Sequence, residues 1–471
     1  MVIKDSCGVF GGYGYHNIAD LVRTGLFGLQ HRGQESAGIV TSDGNEFYER
    51  LRQGLVSPNF GPERTSQLLG HIGIGHVRYS TSGGSSVKNT QPLSVEIKGQ
   101  KMYIAHNGNL DNYEQLKNKM ESEGSIFSTT TDSEVFAHLI AKSKETDLED
   151  KISDACKHVS GSYSLLIMTE DKLIGLRDPR GFRPLKLGRI KLNKQSAYFL
   201  SSETIAFDDI KAEYIRDIEP NEMIILNQEN YHSLQGYETR KLLENDLIHT
   251  PCIFESVYFA RPDSKISPDG MTYWGLRFKM GQILAQEFPV DADVVISIPD
   301  SGNYSAEGYS YESQIPFVSG FIRNHYVGRT FITPNQQKRM NDVDLKLNVN
   351  EYAIKDKRVI VTDDSIIRGT TTKGKITSLK NAGAKEVHVR ISCPPVRYPC
   401  FYGMDFPTQG ELVANQYLDS NNNVNINELC DFLGADSLGF LSLDGLLESC
   451  KPQGDTFCTA CYNGNYPTQQ N

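Results

Sequence analysis

Val359-Ile360-Val361-Thr362-Asp363-Asp364-Ser365-Ile366-Ile367-Arg368-Gly369-Thr370-Thr371-Thr372 decides how the C-terminal half of this chain folds. Arg358 to Thr362 is rich in β-branched apolar residues and reads as a buried strand. Two acids end it. The loop Asp363 to Thr371 carries hydroxyls and a glycine, and Thr372 to Ala382 reads as a helix stopped by Gly383. Glu386 to Ile391 is the next strand. Upstream, Asp293 to Ile298 is another apolar run that ends in the turn Pro299-Asp300-Ser301-Gly302, with the run Phe317 to Ile322 after it. Strand–helix–strand alternation predicts an α/β unit with a parallel sheet and ligands at the carboxyl ends of its strands. Asn425 to Cys450 reads as helical, and the tail from Lys451 as irregular.

The loop suits a sugar carrying both phosphate and pyrophosphate. Backbone N–H groups at a helix start hold phosphate. Two adjacent carboxylates can meet ribose hydroxyls and a magnesium ion, which prefers a few carboxylates plus substrate oxygens to an all-protein cage. An acidic turn that merely caps a helix would look similar, but the length and context of the motif favour function. The turn at Ser301 is weaker alone, where a plain turn is equally compatible, and gains from the company of the first loop.

Residues 7–240 are organised differently. Short apolar runs such as Ile72 to Val77, Met102 to Ala105, Ser164 to Met168 and Glu222 to Leu226 alternate with Gly, Asn, Asp and Ser. Two helical segments interrupt them, Ala19 to Gln30 and Asp132 to Lys142. Strands outnumber helices, which predicts an α+β unit of sheets with helices outside. The polar stretch Glu238 to Thr250 marks the boundary, so the second domain is expected over 241–471 with a helical tail. A chain of 471 residues exceeds one hydrophobic core in any case.

A net charge of −10 argues against nucleic acid as a partner. No apolar run is long enough for a membrane span, and the start lacks a signal-peptide pattern, so the cytoplasm is the expected location. In that reducing compartment the nine cysteines are not expected to form a disulfide framework. Ligation or nucleophilic catalysis suits some of them, and buried inert thiols the rest. Cys458-Thr459-Ala460-Cys461 is a C-x-x-C pair that alone could be redox-active, zinc-binding or neither.

Cys7-Gly8-Val9-Phe10-Gly11 stands six residues from the start, and a cysteine there is unremarkable alone. Its company changes that: Leu29-Gln30-His31-Arg32-Gly33-Gln34-Glu35-Ser36, Gly75-His76-Val77-Arg78-Tyr79-Ser80-Thr81, Ala105-His106-Asn107-Gly108-Asn109-Leu110, Thr130-Thr131-Asp132-Ser133-Glu134 and Arg177-Asp178-Pro179-Arg180-Gly181-Phe182-Arg183-Pro184. The set closely resembles the N-terminal-nucleophile glutamine amidotransferases. The Asp363–Thr372 loop resembles that of type I phosphoribosyltransferases. Together they resemble the glutamine phosphoribosylpyrophosphate amidotransferase family, iron–sulfur type with a short propeptide, over nearly the whole chain.

That resemblance implies an αββα glutaminase domain followed by a phosphoribosyltransferase domain. It implies removal of Met1 to Ser6, so that Cys7 becomes the nucleophile with its own α-amine as base. Asn107 and Gly108 match the oxyanion hole. Arg78 and Asp132 match the binders of the glutamine α-carboxylate and α-ammonium. Asp363, Asp364, Ser365, Arg368, Gly369, Thr370 and Thr371 match the binding loop for phosphoribosyl pyrophosphate, and Ser301, Asp363 and Asp364 the magnesium contacts. Cys252, Cys400, Cys458 and Cys461 match the ligands of a [4Fe–4S] cluster, with zinc as the alternative, while Cys393, Cys430 and Cys450 are read as nonligands. The implied reaction yields phosphoribosylamine, the first committed step to purines. The family is usually homotetrameric, is inhibited by purine nucleotides, and has a mobile loop at Tyr326 to Leu347, where Arg329, Lys338, Arg339 and Lys346 lie. Asparagine synthetase and glucosamine-6-phosphate synthase share the first half only. A regulatory relative without catalysis is the other alternative, though no expected residue is missing.

Overall fold

The computed structural model describes residues 7–79, 87–193, 195–231, 233, 235–324, 347–404, 406, 408–451 and 456–468. The expected propeptide lies outside them, as do Ser80, Thr81 and all of the Tyr326 to Leu347 segment except Leu347.

The N-terminal half builds two antiparallel sheets. Its strands are β1 (Gly8–Tyr13), β2 (Ser36–Ser42), β3 (Phe47–Gln53), β4 (Ile72–Arg78), β5 (Leu93–Ile97), β6 (Gln100–Leu110), β7 (Gly161–Met168), β8 (Leu173–Arg177), β9 (Lys186–Lys191), β10 (Ser196–Ser201), β11 (Glu213–Asp217), β12 (Glu222–Leu226) and β13 (Glu238–Lys241). One sheet has the order β11-β9-β10-β1-β4-β2-β3, the other β13-β12-β8-β7-β6-β5. Alternation of side chains explains the layering. Val9, Val40, Ile74, Tyr103, Ala105 and Leu166 meet between the sheets. Their chain neighbours Phe10 and Ile39 turn outward onto the helix α1 (Ile18–Gly28). On the far side Ile104 and Leu165 pack against Val135, Phe136 and Ile152, carried by α3 (Ser133–Lys142) and α4 (Leu148–Cys156), with α2 (Tyr113–Ser122) beside them. The result is the expected αββα sandwich. Because helices cover both outer faces, β1, β2, β4 and β7 are buried along their whole length.

The C-terminal half adds α5 (Tyr273–Glu287), β14 (Val294–Ser297), α6 (Asn303–Ser313), β15 (Phe321–Arg323), β16 (Leu347–Val349), β17 (Arg358–Asp363), α7 (Thr370–Asn381), β18 (Glu386–Ile391), α8 (Ile426–Leu433), β19 (Ser437–Phe440) and α9 (Leu443–Ser449). The order β14-β17-β18-β19 is parallel throughout, as the alternation predicts. Two expectations need correction. The tail Asn425–Cys450 is not one helical stretch: Gly434 takes a left-handed conformation (φ +76°) that ends α8, and Ser437–Phe440 follows as the fourth parallel strand. The run Phe317–Ile322 splits. Phe317 bridges Val295, whereas Phe321–Arg323 leaves the main sheet to pair with Leu347–Val349.

Candidate active sites

The nucleophile candidate stands just ahead of β1, the central strand of its sheet, and β4 runs antiparallel beside it with Gly8 opposite Val77. That register brings Arg78, the last residue of β4, next to Cys7. The Cys7 thiol is buried and donates to the Tyr79 carbonyl at 3.5 Å. Burial raises its pKa, and the Arg78 guanidinium acts in the opposite direction. Asp132 and Glu35 also lie within electrostatic reach, so all of the expected glutamine-binding charge faces one thiol. Arg78 stands 4.0 Å from Glu35.

β6 delivers the oxyanion-hole candidates from the opposite sheet. Asn107 is fully buried, its carboxamide N–H approaches Ser202 Oγ at 3.5 Å, and its carbonyl oxygen has no partner among the described residues. Ser202 Oγ also accepts from Val9 N at 3.0 Å, which ties Asn107 to β1 two residues past Cys7. Gly108 has φ +153°, and a Cβ there would lie 2.1 Å from the Ser162 carbonyl, so only glycine fits. Asp132 immediately precedes α3, accepts from Leu110 N at 2.9 Å and stands 3.4 Å from His106 Nδ1. Burial opposes its charge, but His106 and the backbone donors hold its carboxyl below the usual range.

An ion cluster that no local sequence pattern announces lies beneath this site. Arg32 donates from Nε to the Cys7 carbonyl at 3.2 Å, pairs with Glu203, and meets Glu255 at 2.8 Å. Arg183 reaches the same Glu255 oxygen at 2.9 Å. All four side chains are buried. The signal was present only as an arginine inside the Gln30–Gly33 motif, since its partners lie 171 and 223 residues away.

The second site lies at the carboxyl ends of β14 and β17. Ile298 N donates to Thr362 O at 2.9 Å, and a Cβ on Gly302 would fall 2.6 Å from that same carbonyl and 3.1 Å from Asp363 Cα. The turn carrying Ser301 therefore presses against the paired acids. Burial and the neighbouring Asp364 charge push the Asp363 carboxyl up. Asp364 accepts from Ser365 Oγ at 2.6 Å, and Arg368 pairs with Glu411 at 2.7 Å. Gly369 adopts φ +74° and starts α7, leaving the exposed Thr370 and Thr371 at a helix end whose first N–H groups have no intrahelical acceptor. Two crowded acids beside such an N-terminus form a place for a cation next to a place for an anion.

The four expected cluster cysteines come together. Cys252 bridges Cys458 along the backbone, and Cys458 N donates to Pro251 O at 2.8 Å. The neighbours acting on the Cys461 thiol are Cys252, Cys400, Cys458 and Cys393. Cys393 is thus adjacent, while Cys430 turns to the Ala435 carbonyl and Cys450 closes α9 beside Ser449. Among the described residues no three His, Cys, Asp or Glu side chains gather round the point a single metal ion would occupy.

These two centres define a two-domain enzyme of glutamine-dependent amide transfer, a class II glutaminase joined to a type I phosphoribosyltransferase unit. Residues 76–209 match the family described as "Glutamine amidotransferase domain". The whole chain is 44% identical to an amidophosphoribosyltransferase of Methanocaldococcus jannaschii, across 99% of this chain and 98% of that one. A solved structure of the Bacillus subtilis glutamine phosphoribosylpyrophosphate amidotransferase, complexed with ADP and GMP, superposes with a TM-score of 0.89 at 42% identity, covering 99% and 98% of the two chains. Another, described as the allosteric regulatory enzyme of purine biosynthesis, gives 0.89 at 43% and covers 99% and 97%. The chain belongs to the amidophosphoribosyltransferase family, whose members aminate phosphoribosyl pyrophosphate with nitrogen from glutamine in purine biosynthesis.

Proposed function

We propose that Cys7, exposed as the first residue by removal of Met1–Ser6, attacks the glutamine amide carbon. Its freed α-amine takes the thiol proton; an α-amino group has a pKa near 8, which suits that transfer at neutral pH. The tetrahedral oxyanion accepts from Asn107 Nδ2 and Gly108 N, donors typically worth about 3–4 kcal/mol of barrier each. Arg78 grips the α-carboxylate in a bidentate fork and Asp132 the α-ammonium. Ammonia leaves, and water releases glutamate from the thioester. At the second site ammonia attacks the anomeric carbon and pyrophosphate departs, giving phosphoribosylamine. Gly369, Thr370 and Thr371 hold the 5-phosphate, Asp363 and Asp364 the ribose hydroxyls, and Ser365 and Arg368 complete the loop.

Ser301, Asp363 and Asp364 suit magnesium, because two crowded carboxylates raise each other's energy until a cation joins them. When bound, that ion neutralises pyrophosphate charge. The convergence of Cys252, Cys400, Cys458 and Cys461 supports a [4Fe–4S] cluster, which takes four thiolates. Zinc held by the same four sulfurs, each about 2.3 Å from one ion, is the alternative that iron and zinc content distinguishes. The cluster's role is to tie the tail to the domain. The enzyme works in the cytoplasm as a homotetramer under purine-nucleotide feedback. The B. subtilis complex with ADP and GMP supports the feedback, and no described helix is long and apolar enough to cross a membrane.

One observation carries this reading: two complete constellations, Cys7–Arg78–Asn107–Gly108–Asp132 and Asp363–Thr371, on one chain. Mass spectrometry of active enzyme should find Cys7 as the first residue. Cys7→Ala should abolish glutamine use and keep ammonium-dependent pyrophosphate release. Glutamine use surviving in that variant removes Cys7 from the mechanism.

A further inference from the structure

We infer that the oxyanion-hole strand of the glutaminase half is held in register by the cysteine-bearing segment Cys400–Gly403 of the other half, with Asn109, Ser162 and Arg183 as positioning residues. The inference rests on the reading of Asn107 and Gly108 given above and adds what fixes them. It begins from an asymmetry in β6. On one edge β7 pairs with it from Tyr103 to Leu110. On the other, β5 pairs only with residues 100–104. Among the described residues, Asn107 and Gly108 therefore lie on a stretch with a strand neighbour on one side alone, where sheet pairing constrains a backbone less.

The missing support comes from across the junction. Asn109 Nδ2 donates to the Phe401 carbonyl at 2.9 Å. Ser162 Oγ donates to the Tyr402 carbonyl at 2.8 Å and accepts from Asn109 N at 3.1 Å. Arg183 Nε donates to that same Tyr402 carbonyl at 3.0 Å. Two consecutive carbonyls of the second half are thus gripped by three donors of the first. Phe182 stacks on Tyr402 with ring centroids 4.2 Å apart. The contact continues to the hole itself: a Cβ on Gly403 would lie 3.3 Å from the Gly108 carbonyl carbon, while the Ser162 carbonyl crowds Gly108 from its Cβ side. Gly108 is caught between Ser162 and Gly403, and Gly403 is three residues from Cys400. The glutaminase centre is incomplete without the transferase half, through a contact that touches neither substrate.

A donor displaced by a fraction of an ångström from a developing oxyanion costs rate and leaves ground-state binding largely intact. The double variant Ser162→Ala/Asn109→Ala should lower kcat for glutamine by roughly 10- to 100-fold. KM for glutamine and ammonium-dependent synthesis should stay within about twofold of wild type, since neither uses the hole. Alkylation of Cys7 by iodoacetamide forms no tetrahedral oxyanion, and it should proceed at the wild-type rate. Wild-type kcat in the double variant overturns the inference. So does a parallel fall in glutamine use, ammonium use and alkylation, which marks a merely structural contact. Asn107→Ala is measured alongside. If it too keeps full glutamine turnover, the oxyanion reading has failed; if it alone collapses, only the positioning inference has. Should the double variant not fold, Asn109→Ala, at a partly exposed position, carries the same expectation.

Discussion

Gly302→Ala isolates the junction of the two substrate loops. Gly302 has φ −73°, which any residue adopts, so the substitution carries no backbone penalty and its effect is steric. The new methyl would sit 2.6 Å from Thr362 O, 2.9 Å from Ile298 O and 3.1 Å from Asp363 Cα. These are backbone atoms of a central parallel strand and its turn, so no side chain can swing away. To restore ordinary contact, near 3.4 Å, the Pro299–Gly302 turn must retreat by roughly 0.8 Å. Overpacking of this kind costs about 1–3 kcal/mol. In a domain of this size that lowers Tm by about 2–4 °C per kcal/mol. Displacement on the 1 Å scale costs on the order of 100-fold in rate where reacting groups must be aligned, so ammonium-dependent pyrophosphate release should drop by tens of fold. Basal glutaminase activity, assayed without phosphoribosyl pyrophosphate, should be unchanged. Gly374→Ala is the control. It lies inside α7 with nothing within 4 Å of its Cβ position, and should stabilise by about 0.5–1 kcal/mol. Full transferase activity in a folded Gly302→Ala enzyme would refute the argument that this turn shapes the site.

Asp363→Asn with Asp364→Asn should raise the dissociation constant for phosphoribosyl pyrophosphate and stop transfer; unchanged affinity by titration calorimetry excludes the acids from binding. Cys252→Ser should lower iron content and the absorbance near 400 nm, and lower stability with them; anaerobically purified wild type containing stoichiometric zinc and no such band favours zinc. Burial opposes the charge of Glu203, but His31 and Arg32 outweigh it and hold the carboxyl far below its usual range. A depressed folded-state pKa contributes stability that is complete above the unfolded value near 4.3 and is lost as pH falls below it. Glu203→Gln should therefore cost about 3–5 kcal/mol at neutral pH and progressively less below about pH 4 in urea unfolding, and a deficit constant with pH contradicts that account.

Local pattern made much of this fold legible. Glu222–Leu226 and Glu386–Ile391 carry enough β-branched or apolar residues to announce themselves, and both strands have those bounds. β19 was hidden because Ser437-Leu438-Gly439-Phe440 is too short to display a period and sits between two real helices. The stop at Gly434 was the available clue. β15 was misassigned because its partner Leu347–Val349 is more than twenty residues away, and pairing at that separation leaves no local trace. The candidate site residues stood out as a set through resemblance, and Cys7, Arg78 and Asp132 each fall at a strand or helix end. Arg32, Glu203, Glu255 and Ser202 were not, because their roles arise only when distant segments pack.

The buried cluster joins these strands of argument. Arg32 and Arg183 carry two positive charges and Glu203 and Glu255 two negative ones, so the group is neutral as a whole, and removing any one member strands another in a dry interior. Such a cluster is weak evidence for stability, since packed hydrocarbon could replace the full set. What hydrocarbon could not replace is its directionality. Arg32 holds the Cys7 carbonyl, while Glu255 stands one turn past Cys252 and its N–H meets the Cys252 carbonyl at 3.3 Å. Glu203, from the glutaminase half, collects Arg261 N at 2.9 Å and Ser264 Oγ at 2.7 Å from the other half. Pulling the halves apart would unpair several of these contacts at once, so a hinge at this junction is energetically disfavoured. The same contacts tie the Cys7 carbonyl through Arg32 and Glu255 to the backbone at Cys252, which leaves smaller displacements, such as those of Cys400–Gly403 against Gly108, as the freedom the junction retains.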